Sequence, residues 1–184
     1  MFSAIILAAG ESKRFGSPKQ LFKINNHTLI EHAISAFTGI DEIIIVLGAH
    51  RELIEPILPK NFTIAVNENF KSGQTSSLLC GLKKVSADTQ GVFVLPVDCA
   101  LVNPQTVIKI KEEFTKHKPL IAIPVFNAHK GHPPLYSAKL LNELTTLKIE
   151  EPLYTINRKY EKETLLVEVD DENVLKNINT PKDV

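Results

Sequence analysis

The feature that most constrains the fold of this chain is an alternation of short apolar runs with longer segments of helical periodicity. The runs SAIILAA, DEIIIVLGA, FTIAVN, GVFVLPVD and PLIAIPVF contain few polar residues, as expected of strands that are covered on both faces. The segments between them repeat apolar residues at helical spacing, as in HTLIEHAISAF. The alternation predicts an α/β fold, Rossmann-like and doubly wound, around a mainly parallel sheet.

Local signals predict where several elements begin. Thr28 and Glu31 match a capping box at the start of the first helix. Asn103 followed by Pro104 predicts the start of another helix, and the letters TPKDV predict a third start at the end of the sequence. The segment NAHKGHPPLYS predicts a turn that leads into an antiparallel edge strand, because paired prolines remove ladder donors.

Composition limits the classes of partner. The 184 residues carry 21 basic and 21 acidic side chains, and the formal net charge is zero. We therefore expect no nucleic-acid and no membrane partner, although a local cationic pocket is compatible with this balance. No linker or repeat divides the chain, which predicts a single domain over residues 1–184. Only two cysteines are present and no basic leader precedes the first apolar run, so we expect a cytoplasmic protein.

The loop after the first apolar run combines glycines with positive charge. Gly10 and Gly16 allow a close approach of the backbone, while Arg14 and Lys19 supply cations. Such a turn from strand to helix favours a phosphate. Neither the dinucleotide pattern G-x-G-x-x-G nor the P-loop pattern is present. From composition alone, a solvated surface turn remains an equal alternative.

Other candidate residues follow strands, on the side where parallel sheets bind ligands. Asp98 ends the run GVFVLPVD and suits a Mg²⁺ ion, with Asn179 as a second oxygen ligand; a turn or cap role is the alternative for each. Gln74 and Ser76 lie at a helix start, where they either contact a base or sugar or simply cap the helix. His132 suits an anionic acceptor, or is a surface histidine.

Together these residues match a known pattern. The stretch LAAGESKRFGSPKQL resembles LAAGxSxRxGxxK, the N-terminal signature of the small nucleotidyltransferases. The segments SGQTSSLLCGL, PVDCALV, KGHPPLY and NINTPKDV are similar, in the same order, to the branch of the MobA-like NTP transferases that contains molybdenum cofactor cytidylyltransferase. The resemblance extends from Ile5 to Val184. It implies a fold like that of the nucleotide-diphospho-sugar transferases, mainly parallel with an antiparallel edge element.

The resemblance also implies roles for individual residues. Arg14, Lys19 and Asp98 would be catalytic, the two cations binding a triphosphate and Asp98 binding Mg²⁺ together with Asn179. Gly131 and His132 would contact the acceptor. The residues expected to bind the nucleotide are Leu7, Ala8, Ala9, Gly10, Arg14, Lys19, Gln74 and Ser76.

The implied activity is Mg²⁺-dependent transfer of CMP from CTP to the phosphate of molybdopterin or its molybdenum cofactor, with release of pyrophosphate. The AAG sequence resembles the cytidylyl-transferring members more than the guanylyl-transferring ones. A molybdenum enzyme is implied as an accessory partner. Transfer to a sugar or alcohol phosphate, and non-catalytic delivery of the cofactor, are the alternatives. Asn177 and Asn179 stand where the family often has aspartates, and Cys99 follows Asp98 where a proline is usual nearby.

Overall fold

The computed structural model describes residues 1–183, and Val184 lies outside the described residues. In this part of the chain the strands are β1 (Ser3–Leu7), β2 (Lys23–Ile24), β3 (His27–Thr28), β4 (Glu42–Leu47), β5 (Thr63–Val66), β6 (Gly91–Pro96), β7 (Ile121–Phe126), β8 (His129–Lys130), β9 (Leu135–Ser137) and β10 (Thr164–Glu168). The α-helices are α1 (Leu29–Ala36), α2 (Arg51–Ile54), α3 (Gln74–Leu82), α4 (Pro104–His117), α5 (Leu141–Thr145) and α6 (Tyr154–Lys159).

The main sheet has the strand order β10-β7-β9-β6-β1-β4-β5, and β8 pairs with β7. The central strand β1 is parallel to both of its neighbours, β4 and β6. The ribbon of β2 and β3 is separate and antiparallel. The predicted α/β fold with a mainly parallel, doubly wound sheet is confirmed.

Helices cover both faces of the sheet, as the continuous apolar runs require. Along β1, Ala4 and Ile6 belong to the core beneath α1 and α4, whereas Ile5 and Leu7 belong to the core beneath α3 and α5. All four are buried. Because successive side chains of a strand point to opposite faces, a strand covered on both sides must be apolar at every position.

The local signals for helix starts have mixed outcomes. Thr28 accepts a hydrogen bond from the Glu31 N–H, and Glu31 caps the Thr28 N–H in return, so the capping box is confirmed. Asn103 caps α4, with Pro104 as its first residue. At TPKDV the structure shows a single turn, in which the Asp183 N–H donates to the Thr180 carbonyl; the rest of the predicted start falls on Val184, outside the described residues. Strands β2, β3 and β8 and helix α6 were not predicted.

The position predicted for the antiparallel strand is also wrong. Strand β9 lies inside the sheet, antiparallel to both β6 and β7. The paired prolines immediately precede its first residue, so no proline donor is missing within the strand itself. Pro134 still contributes its carbonyl, which accepts a hydrogen bond of 3.2 Å from the Val94 N–H. Proline has no backbone N–H but keeps its carbonyl, and the carbonyl of Pro134 is enough to extend the pairing with β6 by one hydrogen bond.

Among residues 1–183, no helix has both the length and the apolar character that crossing a lipid bilayer would demand.

Gly81 fixes how closely α3 packs on the sheet. A Cβ atom at this position would lie 2.7 Å from Ile5 Cγ2 and 3.0 Å from Val46 Cγ2. These two side chains belong to the buried strands β1 and β4. The glycine therefore sets the height of α3, whose first turn reaches the edge of the sheet described below.

We expect Gly81→Ala to destabilise the protein although alanine is the better helix former. The gain in helix propensity is about 1 kcal/mol, whereas overpacking a closed core costs about 1–3 kcal/mol. Chemical denaturation should show a net loss of unfolding free energy. Ser35→Ala, on the exposed side of α1, is the control and should be neutral or slightly stabilising. An equal gain from both substitutions would contradict the close packing of α3.

Candidate active site

The carboxyl ends of β1 and β6 open into a cavity of about 310 Å³. The two strands end level with each other, because Leu7 pairs with Pro96. Three loops meet there: the glycine-bearing loop after β1, the start of α3, and the 3-10 turn Val97–Cys99 after β6. Residues that line this cavity include Leu7, Ala9, Gly10, Lys19, Gln74 and Asp98. Ala8, also expected at the nucleotide, is buried.

Lys19 and Asp98 meet at the floor of this cavity. The Lys19 Nζ lies 2.8 Å from Asp98 Oδ2, and their side chains are only 15% and 23% exposed. Asp98 is placed by the turn after β6, and Lys19 by a 3-10 turn over Lys19–Leu21. Gly16, with φ of +78°, adopts the left-handed conformation that lets the loop turn back before Pro18. Two residues separated by 79 positions are thus brought into contact.

Arg14 and Asn179 form a second contact beside the first. Arg14 donates a hydrogen bond of 3.0 Å to Asn179 Oδ1. The neighbouring Ile178 N–H donates to the carbonyl of Asp98 at 2.8 Å, which holds the C-terminal segment against the Asp98 turn. A smaller cavity of about 190 Å³ lies here, lined in part by Gly10, Arg14 and Asn179.

Asp183 caps the backbone at the end of the described part of this segment. Its Oδ2 accepts hydrogen bonds from the Asn179 and Thr180 N–H groups at 2.8 and 2.7 Å. These two donors lower the pKa of the Asp183 carboxyl. Sequence reasoning missed Asp183, although its contact with the Thr180 N–H is the one that Glu31 makes with the Thr28 N–H in the capping box of α1.

The two oxygen donors fit a magnesium ion that also binds substrate phosphates. Asp98 supplies a carboxylate and Asn179 an amide oxygen, and no group of three or more His, Cys, Asp or Glu residues is found among residues 1–183. Mg²⁺ commonly takes one or two carboxylates from a protein and further oxygens from phosphates and water. In the structure each of these donors faces a cation: Lys19 neutralises Asp98, whereas the charge of Arg14 is not neutralised by the amide of Asn179.

The first turn of α3 contributes polar groups to the same cavity. Gln74, which is exposed, and Ser77, which is buried, both line the cavity. Ser76 is buried and is not among the lining residues; its hydroxyl donates to the carbonyl of Gly73 at 2.7 Å. The buried amide of Asn67 donates to both serine hydroxyls, at 2.9 and 3.0 Å. Asn67 was not predicted, although its place directly after the β5 run is a signal.

Gly131 and His132 lie on a second cavity of about 330 Å³. It adjoins the first, because Gln74 and Pro96 line both. Gly131 has no room for a side chain, since a Cβ atom would lie 2.5 Å from the carbonyl oxygen of Val174.

His132 is half-buried beside this cavity. The backbone N–H of His132 donates to the Val174 carbonyl at 2.8 Å. Its Nδ1 atom is buried and has no hydrogen-bond partner within residues 1–183. Burial lowers the pKa of His132, and the nearby Asp98 carboxylate opposes that shift only in part. The imidazole is therefore neutral at pH 7, which suits a hydrogen-bonding role and not a permanent cation.

Helix α6 forms the outer wall of the second cavity. Tyr154 is 57% exposed at its rim, and Asn157 faces inward. The hydroxyl of Tyr136, which is fully buried, donates to Asn157 Oδ1 at 2.8 Å. Burial raises the pKa of Tyr136, so the phenol stays protonated. Leu153, Pro134 and Ile123 add apolar surface, and Lys130 adds a cation. Lys130, Pro134 and Tyr136 belong to the KGHPPLY segment, but no role was predicted for them, and no quoted segment covered α6.

Known proteins show the same domain and fold. A family model described as the MobA-like NTP transferase domain matches residues 4–164. A curated protein of Thermococcus sibiricus, named "Probable molybdenum cofactor guanylyltransferase", is 30% identical over 160 residues, covering 84% of this chain and 77% of its own. One of the same name from Natranaerobius thermophilus is 27% identical, covering 99% and 92%. The crystal structure of Rv0371c from Mycobacterium tuberculosis superposes with a TM-score of 0.87 at 22% identity, covering 99% and 94%.

The family match covers most of the chain, and the contacts at the edge of the sheet agree with it. Two cations, two oxygen donors and a glycine-bearing loop surround a cavity that continues into a second one. The chain belongs to the MobA-like NTP transferase family and is a nucleotidyltransferase.

Proposed function

We propose that this protein transfers a nucleoside monophosphate from an NTP to a phosphorylated acceptor and releases pyrophosphate. The observation that supports the proposal most strongly is the pairing of Lys19 with Asp98 and of Arg14 with Asn179. Each pair joins a cation suited to a phosphate with an oxygen suited to a metal. Both pairs lie beside a cavity that continues into a second one, so donor and acceptor can lie side by side.

The proposed chemistry needs charge neutralisation more than a base. A phosphate monoester is already anionic, so its oxygen can attack the α-phosphate without losing a proton first. Lys19 and Arg14 would bind the phosphate oxygens and offset the repulsion between the two anions. Asp98 and Asn179 would hold Mg²⁺, which when bound supplies further positive charge to the departing pyrophosphate. Neutral His132 would accept or donate a hydrogen bond to the acceptor.

For the acceptor, we propose the phosphate of molybdopterin or its molybdenum cofactor. The curated relatives are named for the molybdenum cofactor. The second cavity combines apolar and aromatic surface with Lys130 and Asn157, which suits a planar heterocycle that carries a phosphate. A sugar phosphate carries several hydroxyl groups, and these mainly apolar walls would leave some of them without hydrogen-bond partners. A molybdenum enzyme is then the expected partner that receives the product.

For the nucleotide, we propose CTP. Ala9 is buried. Gly48 packs directly against it, because a Cβ atom placed on Gly48 would lie 2.9 Å from Ala9 Cβ. The Ala9 side chain therefore cannot move away from the cavity. The methyl group of Ala9 therefore takes up volume at the wall of the nucleotide cavity and favours the smaller pyrimidine base. The names of the curated relatives indicate GTP, which is the competing candidate.

We expect Lys19→Ala and Asp98→Ala each to reduce turnover by about 100-fold or more, because each removes a charge that acts on the phosphates. Release of pyrophosphate from CTP, GTP, ATP and UTP, in the presence of molybdopterin and Mg²⁺, measures this. Lys116→Ala removes an exposed lysine near the end of α4 and should leave the rate unchanged.

Two results of the same assay would contradict the proposal. Wild-type rates from a folded Lys19 or Asp98 variant would remove that residue from the site. No pyrophosphate release with any nucleotide, together with tight binding of the cofactor, would instead favour a protein that only binds and delivers the cofactor.

We expect Ala9→Gly to shift the preference from CTP towards GTP by about 10-fold or more, since one methyl group in a closed pocket typically discriminates on this scale. The measurement is the ratio of kcat/KM for the two nucleotides. Ala4→Gly removes a buried methyl group from the opposite core, away from the cavity, and should leave the ratio unchanged. A wild-type protein that already prefers GTP would overturn the choice of CTP.

We expect Lys19→Met to bind a divalent ion alone about 10-fold more tightly than the wild type, because the ammonium that now neutralises Asp98 is gone. Titration of Mn²⁺ followed by electron paramagnetic resonance measures this without turnover. Lys116→Met is the control. The opposite signs, tighter metal binding and lower activity, distinguish this effect from damage to the fold. Equal Mn²⁺ affinities in wild type and Lys19→Met would show that the pair does not compete with the ion.

A further inference from the structure

Gln20 is a fully buried polar residue directly beneath the glycine-bearing loop. Its side chain has no exposed surface. The Nε2 group donates to the carbonyl of Ala8 at 2.8 Å and to that of Gly10 at 3.0 Å. Both amide hydrogens are therefore bound to loop carbonyls two residues apart. Burying an amide is unfavourable unless it is paired, so this residue depends on the loop as much as the loop depends on it.

The oxygen of the same amide extends the connection to Lys19. Gln20 Oε1 accepts a hydrogen bond of 3.3 Å from the hydroxyl of Ser12, whose Oγ in turn accepts from the Lys19 N–H at 3.1 Å. Ser12 adopts a φ of +56°, in the left-handed region that a residue with a side chain rarely occupies. The hydrogen bonds of its hydroxyl help to hold that conformation, and they fix the backbone from which the Lys19 side chain extends.

The carbonyl groups of residues 8–12 all accept hydrogen bonds from the protein. Besides the two that Gln20 binds, the Ala9 carbonyl accepts from the Ala49 N–H at 3.1 Å, and the Glu11 carbonyl accepts from His50 Nε2 at 3.1 Å. The Ser12 carbonyl accepts from the Phe15 N–H at 2.9 Å. Five consecutive carbonyls, those of residues 8–12, thus have protein donors.

The N–H groups of the same loop behave in the opposite way. Those of residues 9–14 have no acceptor within the described part of the chain. When successive carbonyls are held on one side, the intervening N–H groups collect on the other, and such an array attracts anions. Gly10, Arg14 and Lys19 lie beside that array, at the two cavities of the edge.

We propose that Gln20 is the positioning residue of the phosphate loop: its amide draws the Ala8 and Gly10 carbonyls inward so that the loop N–H groups face the triphosphate. The inference rests on the proposed function. Gln20 lines the first cavity, but its amide nitrogen and oxygen are bound to the loop, so it would act on the substrate through the loop. Only an amide suits the position, because it alone combines two donated hydrogens with an acceptor for Ser12. A glutamate would direct lone pairs at two carbonyls, and a methionine would fill the space without donating.

The test compares Gln20→Glu and Gln20→Met with the wild type by calorimetric titration of CTP, GTP and pyrophosphate in the presence of Mg²⁺. We expect both variants to bind each of these ligands at least about 10-fold more weakly, because several charge-assisted N–H contacts lose their alignment. In steady-state assays the KM for the nucleotide should rise, while the KM for molybdopterin should stay within about two-fold. A general loss of structure would raise both.

A matched control separates the loop from the loss of any buried polar side chain. The hydroxyl of Thr89 is also buried and donates to the Gly91 carbonyl at 2.9 Å, at the opposite end of β6. Thr89→Val should lower stability but leave pyrophosphate affinity unchanged. If Gln20→Met does not fold, Ser12→Ala tests the same connection and should weaken pyrophosphate binding by several-fold, roughly the effect of losing one hydrogen bond.

The possible results are distinguishable. Folded Gln20 variants that bind pyrophosphate and nucleotide as tightly as the wild type would overturn the positioning role and leave the proposed function intact. A wild-type protein that binds neither CTP, GTP nor pyrophosphate with Mg²⁺ would overturn the proposed function itself. Weaker binding in the Gln20 variants, with Thr89→Val unchanged, supports the positioning role.

Discussion

The contact between Lys19 and Asp98 is the interaction on which the arrangement of the edge depends. Both side chains are mostly withdrawn from water, so neither charge is well solvated and each needs the other while no ligand is present. The pair joins the loop after β1 to the turn after β6, two strands that are hydrogen-bonded neighbours. Under the proposed function this pair would exchange its partners: a triphosphate would replace Asp98 at Lys19, and a metal ion would replace Lys19 at Asp98.

The overall fold and the central residues of the site could be predicted from the sequence because they follow from local rules. Uninterrupted apolar strands must be covered on both faces, and residues that follow parallel strands collect at one edge. Asp98, Lys19, Arg14 and Asn179 do meet there. The capping signals at α1 and α4 held because each involves residues only two or three positions apart.

What the sequence did not reveal depends on long-range contacts. The interior position of β9 is determined by its pairing with β6 and β7. The two prolines indicate only that hydrogen-bond donors are missing at their own positions. Ser77, and not the adjacent Ser76, lines the cavity because the entry of α3 sets the rotation of its first turn. Gln20 resembled an ordinary polar residue of a loop. It is fully buried, but nothing in a polar stretch of sequence distinguishes a buried glutamine from an exposed one.

The zero net charge of the chain bears on how its site would bind an anion. With equal numbers of acidic and basic side chains, the protein has no net field that attracts an anion from a distance. The proposed binding of a triphosphate would then depend on groups that are already oriented: the cations Lys19 and Arg14, held by Asp98 and Asn179, and the loop N–H groups that have no acceptor among residues 1–183. Such preorganisation avoids the cost of reorienting dipoles during the reaction. In the proposed site the buried amide of Gln20, which carries no charge, would contribute to anion binding through the loop that it holds in place.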